Sequence, residues 1–349
     1  MLFRVRDTDH LARRSDMGFD ISVVICTRNR ATSLKETLTH LADGDRSGID
    51  VEIVVVDNGG TDATPEVARD FENHFPVRYV FEPRQGVFGK SHALNRVLDE
   101  GLLGRIVAVL DDDMTPHRDW FQGVAALCRR WPDKDIFTGR SYVVWPTPPS
   151  PEVAESIALR TWMYSIIDEG KEDILLDTGR WYSGNHFWFR SRCLESGIRF
   201  DDIWLTEPKF MLDLEELGYG GVSGPDAVVG HRVQEHLLDQ KVIRERAAKV
   251  GRSNADVRLR PYRQTVRHAR FMKQHPLLGR LFCIAKLIQS TGRWLRGWIH
   301  PTPDKRFVAT VVALESITYH FYLLRTAMRM PEYRILRLSQ PGHQKSPSY

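Results

Sequence analysis

Three adjacent aspartates follow a short apolar run near the middle of the chain, in the sequence VAVLDDDMTP at 107–116. Neighbouring carboxylates repel one another and resist ionising together. The type and spacing of Asp111, Asp112 and Asp113 therefore predict a site that binds a positively charged group. A second interpretation stays open, in which the three residues form a solvated loop that caps the next helix, because Asp is common at both kinds of position.

The elements around these aspartates have the pattern of an α/β fold. Apolar, β-branched runs predict buried strands at 21–26, 51–57, 77–82 and 105–110. Helices are predicted between them: Ser33 and Glu36 have the spacing of a capping box, and Thr64 and Pro65 fit a helix start. Strands and helices that alternate in this way predict a mainly parallel sheet flanked by helices.

Polar residues directly follow three of the predicted strands, at 27–30, 57–60 and 111–113. The carboxyl ends of parallel strands lie at one edge of a sheet, and ligands of such folds bind there. We therefore expect these three segments to converge on one rim. This convergence is a stronger indication of a binding site than any one of the segments alone.

Composition limits the class of protein. The chain has 349 residues, of which 42% are hydrophobic and 27% charged, as in soluble globular proteins. Its four cysteines are widely spaced, which argues against a zinc site or a disulfide framework and favours a reducing compartment. Residues 1–20 contain no apolar run of signal-peptide length and are interpreted as a disordered lead-in.

The segment 234–349 is predicted to be a basic helical extension. Residues 241–306 contain 17 Lys and Arg against 3 Asp and Glu, a net charge of +14 in a chain of +4, so the remainder carries −10. Within 277–298 five aliphatic residues fall on one helical face, the pattern of a helix in a membrane interface. The apolar run 307–324 contains Glu315 and His320, which favours a packed helix over a membrane span.

Six segments in order resemble the inverting, nucleotide-sugar-dependent glycosyltransferases of family 2, which have the GT-A fold. They are ISVVICTRNR (21–30), VEIVVVDNGGTD (51–62), RQGVFGKSHALN (84–95), VAVLDDDMTP (107–116), SGNHFWFR (183–190) and ELGYGGVSGPDAVVGHRV (216–233). The resemblance implies a catalytic domain at 21–233, with a nucleotide-sugar half at 21–116 and an acceptor half at 117–233. Fold-level analogy alone does not establish function.

The resemblance also assigns residues to the donor site. Asp111 and Asp113 match the family's metal-binding DxD position, and His231 matches a histidine that completes the metal shell. The implied cofactor is Mn²⁺ or Mg²⁺, and an imidazole ligand favours Mn²⁺. The nucleotide-contacting positions are Thr27, Arg28, Asp57, Lys90 and Asp112. The alternatives are an ordinary turn residue for Asp57, a surface cation for Arg28 and a helix-start lysine for Lys90. Asp112 is expected to contact the ribose or a neighbouring backbone amide.

The catalytic base and the acceptor site are assigned in the same way. Inversion needs a base that takes the proton of the acceptor hydroxyl. Glu207 occupies the family's base position, although the stretch reads TEP where relatives have TED, so Asp201 and Asp202 stay as alternatives. The residues expected to line the acceptor site are Trp181, Gly184, Asn185 and His186.

The resemblance implies transfer of one sugar from a nucleoside diphosphate sugar to a hydroxyl group. A UDP-sugar is favoured over a GDP- or dTDP-sugar, and a lipid-linked glycan of cell-surface polysaccharide synthesis is the expected acceptor. The basic extension indicates a cytoplasmic enzyme that is peripheral on an anionic inner membrane surface. The alternatives are a nucleotidyltransferase of related fold and a non-catalytic anion- or nucleic-acid-binding protein. No nucleic-acid partner is expected, because the basic segment has few interleaved aromatics.

Overall fold

The computed structural model describes residues 19–86, 88–168, 170–176, 186–258 and 274–329. Its strands are β1 (Ile21–Thr27), β2 (Val51–Asp57), β3 (Val77–Phe81), β4 (Ile106–Asp111), β5 (Met114–Pro116), β6 (Ile136–Val144), β7 (Ile174–Leu176), β8 (His186–Arg190) and β9 (Gly221–Arg232). Its helices are α1 (Ala31–Ala42), α2 (Thr64–Asp70), α3 (Gly89–Glu100), α4 (Trp120–Arg130), α5 (Pro151–Glu155), α6 (Ile157–Trp162), α7 (Thr206–Glu216), α8 (Gln240–Arg258), α9 (Pro276–Gly297) and α10 (Pro303–Arg329).

The strands of the described residues form one sheet in the order β3-β2-β1-β4-β8-β6-β9-β5, and β7 pairs with β9. The first four run parallel, as predicted from their apolar sequences. In this register Thr27 is opposite Asp57, and Cys26 is opposite Asp111. The polar residues after β1, β2 and β4 therefore lie side by side at one rim, which confirms the predicted convergence.

The other half of the sheet is mixed rather than parallel. β8 lies antiparallel to both β4 and β6, whereas β9 runs parallel to β6 and antiparallel to β5 and β7. The predicted α/β class with flanking helices is correct, and its mainly parallel character belongs to β1–β4. Hydrophobic patterning did not reveal the direction of the later strands, because a short apolar run is equally apolar in either direction.

Two apolar cores cover the two faces of the sheet. Along β1, Ile21, Val23 and Ile25 face one core together with α1, α2 and α4, while Val24 faces the other together with α3 and α7. All four side chains are 0% exposed. Alternate residues of a strand point to opposite faces, so a strand that is apolar throughout is a strand covered on both sides.

A third core joins the C-terminal helices to the preceding part of the chain. Ile243 and Ala247 of α8 and Phe307 of α10 pack with Leu159 and Met163, which lie after β6. Within the described ranges, the α10 stretch Pro303–Arg325 is the one helix long and apolar enough to cross a bilayer. It packs along α8 and α9.

Helix α9 exposes an apolar face. Cys283 and Ser290 lie on the opposite side, against α10, and are 0% and 2% exposed. The exposed face consists of Leu277, Leu281, Ile284, Ile288 and Leu295, which are 68%, 54%, 41%, 67% and 58% exposed. These are the five residues that the sequence pattern predicted on one face of this helix.

Candidate active site at the rim of the sheet

The turn that carries the three aspartates is held by hydrogen bonds to its main chain. The hydroxyls of Ser33 and Thr37 in α1 each donate to the carbonyl oxygen of Asp112 at 2.8 Å. The guanidinium of Arg232 donates to the same oxygen at 3.2 Å and to the carbonyl of Met114 at 2.6 Å. Residues from β9 and α1 thus fix the backbone from which the carboxylates project.

The capping box predicted at Ser33 and Glu36 is wrong, because Ser33 serves the aspartate turn. Helix α1 begins two residues earlier, at Ala31. The amide of Ala31 donates to the carboxylate of Asp62 at 2.8 Å, so the cap comes from the loop after β2. A long-range cap of this kind leaves no local spacing signal in the sequence.

The second and third aspartates share one arginine. Arg30 contacts Asp112 Oδ1 at 2.8 Å and Asp113 Oδ2 at 2.9 Å, and Thr27 donates to Asp112 Oδ2 at 2.6 Å. Burial raises the pKa of Asp112 to about 7, although Arg30 opposes it. Burial acts the same way on Asp113, but His231 and Arg30 outweigh it, and the pKa of Asp113 is lowered.

Lys90 joins the first aspartate to the candidate base. Its Nζ atom lies 2.6 Å from Asp111 Oδ1 and 2.5 Å from Glu207 Oε1. Burial disfavours the ammonium, but the two carboxylates outweigh burial and hold the pKa of Lys90 well above its usual value. Burial also raises the pKa of Asp111, with Lys90 opposing. The structure therefore brings three predicted site residues into one charged group.

Asp113 and His231 fit one side of a divalent-cation site. The Oδ1 atom of Asp113 is buried without a hydrogen-bond partner. His231 Nδ1 lies 2.7 Å from the carbonyl oxygen of Tyr164, a contact that orients the ring, and Nε2 lies 3.7 Å from Asp113 Oδ2. A cation bound between His231 Nε2 and the Asp113 carboxylate would be held by one ligand on each side.

The remaining predicted ligand, Asp111, is engaged by Lys90 instead. In the ranges that the structure describes, no three His, Cys, Asp or Glu side chains form a ready cluster for a metal ion. In this conformation Lys90 pairs directly with Asp111, and Arg30 pairs directly with Asp112 and Asp113. Carboxylate and imidazole ligands still match the donor preferences of Mn²⁺.

The predicted nucleotide-contacting residues lie along the same rim in different environments. Asp57 is 1% exposed and accepts hydrogen bonds from the Gly60 amide at 2.7 Å and the Tyr79 hydroxyl at 2.8 Å. Asp57 thus ends β2 and holds the turn that follows, and each of its oxygens keeps a further lone pair for a base N–H. Arg28 is exposed and donates to Gln85 at 2.6 Å.

Glu207 is the base candidate that the fold brings to the aspartates. It lies in the first turn of α7, next to Leu205, whose φ of 69° is unusual for a branched residue. The alternatives make other contacts: Asp201 pairs with Lys209 at 2.8 Å, and Asp202 with His92 at 3.1 Å. Among the three, Glu207 has the contact to Lys90 that ties it to the rim.

Of the four predicted acceptor residues, the structure describes His186. Trp181, Gly184 and Asn185 lie outside the described residues. His186 begins β8 opposite Leu110, close to the rim, but its side chain is 1% exposed. Burial lowers the pKa of His186 to about 4, so the imidazole is neutral at physiological pH. In this conformation it is a core residue, and its contact with an acceptor stays a prediction.

Sequence reasoning missed Arg30, Arg232 and Thr37. Arg30 could have been found, because it lies in the polar segment directly after β1. Arg232 adjoins the predicted ligand His231, but its partner Asp112 is 120 residues away in the sequence. A contact over that separation has no signature in residue spacing.

The fold and the rim define an α/β domain with a charged site at the carboxyl ends of its parallel strands. Residues 22–193 match the family model described as glycosyl transferase family 2. The chain therefore contains a glycosyltransferase family 2 domain at these residues. Glu207, His231 and Arg232 lie beyond the matched residues, on the elements that complete the sheet and its rim.

Two relatives in sequence agree with this match. Validoxylamine A glucosyltransferase of Streptomyces hygroscopicus subsp. jinggangensis (strain 5008) is 27% identical over 244 residues, covering 64% of this chain and 54% of the relative. Chondroitin synthase of Escherichia coli is 33% identical over 125 residues, covering 35% of this chain and 17% of the relative. The chain thus spans about half of the first relative, at 54% of its length.

Among solved structures, the mannosyltransferase PcManGT from Pyrobaculum calidifontis, in complex with GDP-Man and Mn²⁺, superposes with a TM-score of 0.52. The two sequences are 20% identical, and the superposition covers 89% of this chain and 86% of that one. At this identity the similarity establishes the fold.

Proposed function

We propose that this protein is an inverting, metal-dependent glycosyltransferase that moves one sugar from a nucleoside diphosphate sugar to an acceptor hydroxyl. The observation that carries the proposal is the contact of Lys90 with both Asp111, at 2.6 Å, and Glu207, at 2.5 Å. A candidate metal ligand and a candidate base are thus within reach of one side chain. In an inverting transfer the diphosphate leaves and the hydroxyl enters at opposite faces of one anomeric carbon. The groups that bind them must therefore lie close together.

A divalent cation would neutralise the diphosphate as it leaves. Asp113 and His231 would hold it, and Asp111 would join them once Lys90 gives up its contact. Mn²⁺ is the proposed ion, since the donor set includes an imidazole. The complex of PcManGT with GDP-Man and Mn²⁺ supports this assignment at the level of a shared fold.

The roles of the chain's own residues follow from their charges. Glu207 would accept the proton of the acceptor hydroxyl as the new bond forms. Lys90 would move from Asp111 and Glu207 to the developing negative charge on the diphosphate, where an ammonium is a strong donor. Asp57 would accept a hydrogen bond from the base of the nucleotide. UDP-, GDP- and dTDP-sugars are the donors to be compared.

The experiment is a matched pair of measurements on the purified full chain. Thermal unfolding is followed with UDP, GDP and dTDP, each with Mn²⁺ or with EDTA. Ligand at about 100 times its Kd stabilises a protein by about 2.7 kcal/mol. One nucleotide should raise the melting temperature with Mn²⁺ and not with EDTA. The corresponding sugar nucleotides should then release nucleoside diphosphate. No stabilisation by any of the three nucleotides would refute the proposal.

We also propose that the protein binds an anionic membrane surface through α9, where a lipid-linked acceptor would be found. Leu281 and Ile288 belong to the exposed apolar face, and Arg293 and Arg296 are exposed on the same helix. Apolar residues beside basic ones match the two layers of an anionic bilayer interface. Four free cysteines support a location on the reducing, cytoplasmic side.

The membrane proposal is tested by co-sedimentation with vesicles of phosphatidylcholine, with and without phosphatidylglycerol. The full chain should bind the anionic vesicles and be released by salt. The double substitution Leu281→Ser, Ile288→Ser should weaken vesicle binding by about tenfold or more. The reason is that two apolar side chains that would be buried in the bilayer are removed. Leu217→Ser is the control, since Leu217 is 58% exposed on α7's end. Equal binding of the double variant would refute the assignment to α9.

A further inference from the structure

Two basic side chains of α8 lie against one tryptophan ring. Arg246 and Lys249 are three residues apart and therefore project from the same side of the helix. The Cζ atom of Arg246 lies 5.5 Å from the centre of the Trp204 ring, and the Nζ atom of Lys249 lies 4.5 Å from it. These are cation–π distances, so the indole holds both charges in place.

The helix is firmly anchored behind these two cations. Ile243, Ala247 and Val250 are 1%, 0% and 2% exposed, and the first two belong to the third core. Arg246 and Lys249 are therefore presented by a rigid element rather than by a loop. Preorganised side chains lose less entropy when they bind a ligand.

The charges of Arg246 and Lys249 are not neutralised within the described part of the chain. Neither side chain forms an ion pair there, and Arg246 Nε is buried without a hydrogen-bond partner. Burial lowers the pKa of Arg246, and burial together with the charge of Arg246 lowers the pKa of Lys249. Two adjacent cations without a counter-ion weaken the fold, and a bound anion would offset that cost.

Helix α8 packs beside the aspartate rim. Tyr164, whose carbonyl oxygen lies 2.7 Å from His231 Nδ1, belongs to the same core as Ile243 and Ala247 of α8. Asp113 and Asp111 also act electrostatically on Arg246. Trp204 is three residues before Glu207, on the segment that leads into α7. Trp204 thus connects the two cations to the loop that delivers the candidate base.

We propose that Arg246 and Lys249 form a phosphate-binding arm, which contacts the diphosphate of the donor from the side of the C-terminal helices. This inference rests on the proposed function and adds a binding element outside the residues that match the family model. A guanidinium presents parallel N–H groups to two phosphate oxygens, and its stacking on Trp204 fixes the plane of that fork. The cation held by the aspartates and the arm of α8 would then grip the diphosphate from opposite sides.

A phosphate of the acceptor has the same chemistry and is the second possible source. A polyprenyl monophosphate, for example, presents a phosphate that could enter beside Trp204. The position of Arg246 near Asp111 and Asp113 favours the donor, because the cation and the diphosphate must be neighbours. If the arm binds the donor, a substitution in it weakens binding of the nucleoside diphosphate. If it binds the acceptor, the same substitution weakens binding of the polyprenyl monophosphate.

The experiment measures binding by calorimetry on the full chain with MnCl₂, using UDP and GDP and the monophosphates UMP and GMP. The variants are Arg246→Gln, Arg246→Lys and Lys249→Gln. Arg252→Gln is the matched control, because Arg252 is on the same helix and stacks on Tyr322 at 5.2 Å instead of on Trp204. Arg246→Gln should weaken binding of the preferred diphosphate by about tenfold or more, as expected for a lost charged hydrogen bond.

The monophosphates and the other variants also have defined expected results. Binding of the monophosphate should change less than binding of the diphosphate, and Arg252→Gln should bind both like the unaltered protein. Arg246→Lys should recover part of the affinity, since it keeps the charge and loses the fork. If Arg246→Gln does not fold, Arg246→Lys and Lys249→Gln carry the test.

Two outcomes overturn the arm while leaving the proposed function intact. The first is unchanged diphosphate affinity in all three variants, although the unaltered protein binds the diphosphate. The second is unchanged diphosphate affinity with weakened binding of a polyprenyl monophosphate in detergent, which would assign the cations to the acceptor. An unaltered protein that binds no diphosphate would overturn both the arm and the proposed function.

Discussion

The imidazole Nε2 of His231 lies 3.7 Å from Asp113 Oδ2, and its other nitrogen is fixed by the carbonyl of Tyr164. The pair joins β9 to the turn after β4 and forms the part of the rim that best fits a divalent cation. Because the backbone carbonyl fixes the imidazole, Nε2 is oriented before any ion arrives.

The first prediction concerns this pair. His231→Ala and Asp113→Asn should each weaken Mn²⁺ binding, measured by calorimetry in the presence of nucleoside diphosphate, by about tenfold or more. His117→Ala is the control, because His117 contacts Tyr142 at 3.2 Å rather than an aspartate. Chelation with EDTA should abolish transfer. Unchanged Mn²⁺ affinity in both variants would show that the ion binds elsewhere.

The second prediction separates the three candidates for the base. Glu207→Gln should lower the rate of transfer by a factor of about 10² to 10⁴, the range of general base catalysis, with little change in donor affinity. Asp201→Asn and Asp202→Asn should retain most of the rate. The measurement is sugar transfer under single-turnover conditions. A large rate loss in Asp202→Asn with full activity in Glu207→Gln would reverse the assignment.

The third prediction uses the buried imidazole of His186, whose pKa is lowered to about 4. In the unfolded chain the imidazole takes up a proton below about pH 6.5. Folded His186 takes one up only near its lowered pKa. The free energy of unfolding should therefore fall as the pH drops through this window. Between about pH 7.5 and about pH 5, His186 should lower the free energy of unfolding by about 2 kcal/mol.

The check is urea unfolding of the unaltered protein and of His186→Leu at both pH values. The variant should lose about 2 kcal/mol less stability on acidification than the unaltered protein. Burial also lowers the pKa of His40 and His320, but both are present in the two proteins and cancel in the comparison. Equal acid sensitivity would mean that His186 is solvated in the folded state.

The fourth prediction compares two glycines of the C-terminal helices. A Cβ atom on Gly251 of α8 would lie 2.3 Å from the backbone oxygen of Glu315 in α10, whereas one on Gly292 of α9 would meet nothing within 4 Å. Gly251→Ala should destabilise the protein by about 1 to 3 kcal/mol through overpacking. Gly292→Ala should stabilise it by up to about 1 kcal/mol through helix propensity. Thermal unfolding of both variants tests whether α8 and α10 pack this closely.

Sequence patterning was sufficient for the part of the fold that contains β1 to β4. The apolar runs of β1, β2 and β4 predicted their parallel arrangement, and the polar residues after them were correctly expected at one rim. What could not be predicted depends on long-range contacts. The reversal of β8, the Asp62 cap on α1 and the reach of Arg232 to Asp112 each join segments that are distant in the chain, and residue spacing does not encode such contacts.

The basic charge of α8 shows the same limit. Its residues were counted as part of a segment with a net charge of +14 and interpreted as a membrane-facing surface. The structure places Arg246, which is partly buried, and Lys249, which is exposed, against the ring of Trp204. Net charge therefore predicted an anionic partner, but which side of the helix meets it follows only from the packing of Ile243 and Ala247.

The position of β9 also determines where the chain can be cut. β9 pairs with β6 on one side and with β5 and β7 on the other, yet it begins 28 residues after the family-matched segment ends at 193. A fragment that stops there would leave β6 with an unpaired edge, and open edges promote self-association of chains. We expect the smallest soluble, monomeric unit to continue through β9 and on to α10, whose Phe307 fills the core shared with Leu159.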